Sequence, residues 1–154
     1  MIRKCLYSFL AVVLTGVFFL YGKETHAQEV TPIETESLSF ISQGVRLSGT
    51  IYIPKISHAA VVLVHGSGQE PRMQEFAALL AASGCAVLTY DKRGVGASEG
   101  VYAGPEVGTN NIDSTNLHLL AQDARAAVNL IKQKLPSLPI GLLGFSQAGW
   151  IIPL

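Results

Sequence analysis

Near the carboxyl end of the 154-residue chain, an apolar run from Ile140 to Leu143 leads into Gly144-Phe145-Ser146-Gln147-Ala148-Gly149. A serine hydroxyl is a weak nucleophile unless its surroundings activate it. Small residues two before and two or three after the serine permit a tight strand-to-helix turn. Such a turn thrusts the hydroxyl outward and aims backbone N–H groups at the same point. Ala148 stands where the G-x-S-x-G pattern has its second glycine, a permissive departure because alanine is still small. Alone, the stretch reads equally well as an ordinary Gly-Ser turn. Two further glycine-rich stretches bear on the choice: His65-Gly66-Ser67-Gly68 and Asp91-Lys92-Arg93-Gly94-Val95-Gly96-Ala97-Ser98.

Each of the three follows an element able to hold it in place. Ala59 to Val64 and Cys85 to Tyr90 are short, continuous apolar runs, the pattern of central strands buried on both faces. Ile140 to Leu143 is a third. Pro71 is expected to open a helix with Met73, Phe76, Ala77 and Leu80 on one stripe and Gly84 at its end. A longer stripe from Leu117 to Leu135 predicts a second helix, capped by Ser114 or Asn116 and stopped before Pro136. Upstream, Leu38 and Phe40 before a Gln43-Gly44 turn, and Val45, Leu47, Gly49, Ile51 and Ile53 after it, alternate with period two, which predicts an antiparallel hairpin ending at Pro54. The order hairpin, strand, helix, strand, helix, strand implies a mostly parallel sheet with helices on both faces. In such sheets ligands sit beyond the carboxyl ends of the strands, so the three glycine-rich loops share the functional edge.

With these motifs in this order, the chain resembles the amino-terminal part of an α/β-hydrolase, and within that fold the serine aminopeptidase and acyl-esterase-like lineages. The resemblance implies that the strands before His65 and Ser146 are neighbours. It makes Ser146 the nucleophile and the backbone N–H groups of Ser67 and Gln147 the oxyanion donors. His65, Gly66, Gly68, Asp91 and Arg93 are then loop-supporting residues, with Asp91 and Arg93 read as a charged pair bracing a glycine turn. The family's base is a histidine far downstream of the serine, so His65 is a brace before it is a base. Trp150, Ile151 and Ile152 are expected in the core behind the serine, with a bend near Pro153. The substrate would be a small ester or peptide, with no cofactor and no metal.

A hydroxyl nucleophile needs a general base and an orienting acid, in the order Ser, acid, His. No Asp, Glu or His follows Ser146 in this sequence. The expectation is therefore the amino-terminal portion of a longer hydrolase, inactive alone. A non-catalytic exported module that binds a small ligand in the same loops is the alternative.

At the other end, Arg3 and Lys4 precede an apolar run from Cys5 to Tyr21 and a small residue at Ala27, the three parts of a secretory signal peptide. Residues 1–27 are read as a leader, 28–36 as a polar tether and 37–154 as the hydrolase domain. The protein would then be periplasmic or secreted, without stable membrane association after cleavage; an uncleaved anchor is the lesser reading. Removal of Cys5 with the leader would leave Cys85 without an intrachain partner, so no disulfide scaffold is expected. A formal net charge of +0 offers no basic surface for nucleic acid. Gly94-x-Gly96 lacks the helix-opening glycine of a dinucleotide fingerprint, and no Gly-Lys-Ser/Thr occurs. Oligomeric state is not legible.

Overall fold

A computed structural model of the chain describes residues 32–104 and 113–154. The expected leader and residues 28–31 of the tether lie outside the described residues. Five strands form one sheet: β1 (Ile33–Ser42), β2 (Val45–Pro54), β3 (Ala59–Val64), β4 (Cys85–Tyr90) and β5 (Ile140–Gly144). Among the described residues three helices connect or follow them: α1 (Gln74–Ala82), α2 (Ser114–Lys134) and the single turn α3 (Ala148–Ile151). The spatial order is β1-β2-β4-β3-β5. β1, β2 and β4 pair antiparallel, whereas β4, β3 and β5 run parallel.

The hairpin follows from its turn. Gln43 and Gly44 both adopt positive φ, 49° and 75°, the twist that two-residue hairpin turns require. Leu38, Phe40, Val45, Leu47, Ile51 and Ile53 all join the cluster under α2, as their alternation on either side of the turn predicts. β1 starts at Ile33, inside the stretch expected to be a tether, because β2 continues to Pro54 and offers partners as far as Ile33.

The chain leaves β3 for β4 on one side and returns to β5 on the other. Right-handed crossovers in opposite directions place their helices on opposite faces. Accordingly α1 covers Tyr52, Leu63 and Val87, while α2 covers Val62, Ala86 and Leu88 through Ala127 and Ile131. The reversal in strand order falls at β3, which directs the carboxyl ends of β3 and β5 into one crevice.

Two helix starts differ from the sequence-based expectation. α1 begins at Gln74, not Pro71, because the N–H groups of Arg72 and Met73 are taken by Asp91 Oδ1 (2.8 Å) and Thr89 Oγ1 (2.8 Å). Those bonds hold the segment in extended contact with β4. α2 is capped by Asp113, whose carboxylate accepts the Asn116 N–H at 3.0 Å. Ser114 is already helical. α3 closes at Ile151, two residues before Pro153.

Candidate active site

The crevice is built from the loops after β3, β4 and β5. β3 and β5 are in register from Ala60–Ile140 to Val64–Gly144, so their loops leave the sheet side by side. Close approach is needed there: a Cβ on Gly144 would lie 2.4 Å from Ala148 Cβ and 2.5 Å from Val64 O. Only a residue without a side chain fits between β3 and α3. This explains the glycine two before the serine and leaves no comparable demand at Ala148.

Ser146 has φ of 54°, a left-handed conformation that is costly for a residue with a side chain. The chain bends back at once into α3, with Ala148 N–H donating to Phe145 O and Gly149 N–H to Ser146 O. Ser67, Leu117, Ser146, Gln147 and Trp150 line one cavity of about 590 Å³. Trp150, expected in the core, is 72% exposed and forms a wall of this cavity instead; Ala148 and Ile151 take the buried positions of that turn. Four residues are too few for a helix to bury every large side chain.

Among the described residues the backbone N–H groups of Ser67 and Gln147 have no hydrogen-bond partner. The N–H of Gly66 differs, donating to Glu70 Oε2 at 2.9 Å. Gly68 has φ of 99°, which carries the loop around this turn.

His65 is buried, 3% exposed. Its Nε2 lies 2.5 Å from Tyr90 O, and its ring stands edge-on against the Tyr90 ring. Burial, with the nearby charge of Lys92, depresses its pKa to about 4, against the hydrogen bond to Tyr90 and the charge of Asp91. A neutral Nε2–H donating to the carbonyl satisfies this geometry. The ring joins the ends of β3 and β4, and no histidine among the described residues hydrogen-bonds Ser146.

Asp91 and Arg93 are both buried, but they do not pair with each other. Asp91 binds Arg72 through Nε (3.0 Å) and Nη2 (2.7 Å), and accepts the Ala97 N–H at 2.9 Å. Burial pushes its carboxyl up, yet the bonds from Arg72 and Ala97 prevail and hold it below the usual range. Arg93 turns to the opposite face, where Nε meets Asp123 Oδ2 of α2 at 3.1 Å and Nη2 meets Oδ1. Adjacent odd positions pointing together would hold only in an extended strand, and the chain has left β4 by then. Ser98 Oγ donates to Asp91 O at 2.7 Å and accepts the Ser48 N–H at 2.9 Å, closing the loop on β2.

Four side chains essential to this framework were missed in the sequence. Arg72 also reaches Ser48 and Thr50 on β2, and Asp123 receives Arg93. Glu70 holds the Gly66 N–H. Lys92 is 1% exposed, with Nζ donating to Gly66 O (2.8 Å), Gly68 O (3.2 Å) and Gln147 Oε1 (3.2 Å). One signal was available for Asp123: a carboxylate within the buried stripe of α2, between Leu120 and Ala124, requires a cation. Among the described residues no group of three or more His, Cys, Asp or Glu side chains is placed to hold a metal ion.

The strand order, the crossovers and the strained serine at the carboxyl end of β5 define an α/β-hydrolase fold. The chain belongs to the serine aminopeptidase, S33, family, whose model matches residues 55–152. An esterase from Pyrococcus furiosus is 26% identical with a TM-score of 0.57, over 79% of this chain and 46% of its own. A cold-adapted esterase from an Arctic intertidal metagenomic library shares the fold at 20% identity and a TM-score of 0.57, over 84% of this chain and 56% of its own. An aminopeptidase from a Thaumarchaeota archaeon shares it at 20% identity and a TM-score of 0.54, over 84% and 24% respectively. The chain thus spans about half the length of the esterases it matches, and less of the aminopeptidase. No curated protein sequence matches it.

Proposed function

We propose that the chain carries the nucleophile and oxyanion hole of a serine hydrolase that cleaves small esters or amides. The observation that supports this best is the cavity in which Ser146, held at positive φ, stands with the unpaired N–H groups of Ser67 and Gln147. In the proposed reaction Ser146 Oγ attacks the carbonyl carbon and loses its proton to a base, and the carbonyl oxygen becomes an oxyanion. The two N–H groups donate hydrogen bonds to that oxygen as its charge develops; one such donor typically contributes about 3–4 kcal/mol to lowering the barrier. Collapse expels the alcohol or amine and leaves an acyl-enzyme, which water hydrolyses. Leu117 and Trp150 offer the acyl group an apolar wall.

We further propose that the base and its acid belong to sequence outside these 154 residues, consistent with the half-length match to esterases. His65 does not meet the need, since its Nε2 is engaged by Tyr90 O. The 154 residues alone are therefore expected to be inactive on a chromogenic ester. In the intact hydrolase a fluorophosphonate is expected to label Ser146, and Ser146→Ala to abolish both labelling and turnover. Ligand binding in the crevice without labelling would instead favour a non-catalytic module.

Export is a separate proposal, carried by the basic, apolar and small-residue order of residues 1–27. A mature amino terminus at Gln28, read by mass spectrometry after expression in a secreting host, is the expected result. An intact leader on soluble cytoplasmic protein would overturn it.

A further inference from the structure

Lys92 takes no part in the reaction above, yet it is the largest of the fully buried side chains. An amine taken out of water is destabilising unless acceptors meet it. Lys92 finds them in two different loops, at Gly66 O and Gly68 O after β3 and at Gln147 Oε1 after β5.

Peptide geometry gives these bonds a consequence. In a trans peptide the C=O of one residue and the N–H of the next point in opposite directions. Anchoring Gly66 O on Nζ therefore fixes the direction in which the Ser67 N–H points. The preceding N–H, that of Gly66, is already held by Glu70, so the turn is secured on both sides of the free donor. Gln147, which supplies the second free N–H, is tied to the same Nζ through its side chain. A cation on the carbonyl side also polarises the Gly66–Ser67 peptide and strengthens its N–H as a donor.

We propose that Lys92 is a positioning residue that sets the Ser67 and Gln147 N–H groups in common register, a role that rests on the serine-hydrolase reading. Lys92 touches neither substrate nor nucleophile in this role. It acts through the two peptide units it holds, so its loss falls on the transition state more than on substrate binding.

Lys92→Met keeps an unbranched side chain one atom shorter, without charge or donor, and Lys92→Gln keeps a neutral donor. Turnover of a chromogenic ester by the intact hydrolase is compared with the amide ¹H–¹⁵N signals of Ser67 and Gln147 in the same proteins. The expected result for Lys92→Met is a kcat lower by about 100-fold with KM changed less than about 3-fold. The Ser67 and Gln147 signals should move while those of Val87 and Leu88 in β4 stay. Lys92→Gln should fall between wild type and Lys92→Met, and it serves as the primary variant if Lys92→Met fails to fold. A folded variant with wild-type kcat overturns the proposal, as does an equal loss in kcat with both amide signals unmoved. If wild-type protein shows no Ser146-dependent turnover, the hydrolase reading fails, and the amide signals alone decide whether Lys92 positions the two loops.

Discussion

At the scale of single residues, the site stores strain and a desolvated ring. Ser146 sits where glycine would be at ease, so Ser146→Gly is expected to raise stability by about 1 kcal/mol while removing the proposed nucleophile. Equal or lower stability of that variant in urea unfolding would show that the turn does not strain Ser146. His65 makes folding sensitive to acid. Its folded pKa, about 4, lies below the unfolded value near 6.5, so above pH 6.5 the ring is neutral in both states and has no effect. As pH falls from 6.5 to 4 the unfolded chain takes up a proton that the folded chain refuses. Stability is lost across that window, reaching on the order of 3 kcal/mol below it. His65→Asn retains an N–H donor without the titration. Its stability deficit relative to wild type should therefore shrink between pH 7.5 and 4.5, and a deficit constant with pH would show that the ring takes up its proton equally in the folded and unfolded chain. Comparison with wild type cancels the contributions of Asp91 and Asp123, which are present in both proteins.

The elements themselves are held in place by two ion pairs, Arg93–Asp123 buried and Arg72–Asp91 partly buried, and these mark the boundary of what the sequence made legible. Strand identities, the hairpin turn and the three glycine-rich loops follow from patterns of two or three residues, and the structure has them where those patterns fall. The pairings do not follow, because they join residues separated by 19 positions in Arg72–Asp91 and by 30 in Arg93–Asp123. Local spacing suggested Asp91 with Arg93; the opposite faces of the sheet separate them. Lys92 was illegible for a related reason, since Gly66 O, Gly68 O and Gln147 Oε1, which it meets, have no sequence signature. Arg93–Asp123 fastens the loop after β4 to α2. Burial raises the Asp123 pKa, and the bonds from Arg93 offset this only in part. Asp123→Ala would leave the Arg93 guanidinium buried beside an empty place. A loss of about 3–5 kcal/mol is expected in urea unfolding; a loss below 1 kcal/mol would mean that water reaches Arg93. Gly144→Ala tests the other junction, where β5 meets α3. Its Cβ would overlap both Ala148 and Val64, and a destabilisation of about 1–3 kcal/mol is expected from overpacking.

For the molecule as a whole, the decisive feature is that the strand leading to Ser146 is also an edge strand. β5 pairs only with β3 among the described strands, so its outer row of N–H and C=O groups is open to another strand. The surface around it is apolar as well. Leu142, Phe145 and Trp150 are all exposed, and Phe145 meets an aromatic neighbour, Phe76, at 5.4 Å between ring centroids. An open edge flanked by exposed apolar side chains favours association between copies. The purified 154-residue chain is therefore expected to associate in a concentration-dependent manner when followed by sedimentation velocity. Leu142→Lys places a charge on that edge at a position already open to water, so it should suppress association with a stability change of less than about 1 kcal/mol. A wild-type chain that stays monomeric at high concentration, or association indifferent to Leu142→Lys, would show that β5 is not the surface through which copies meet.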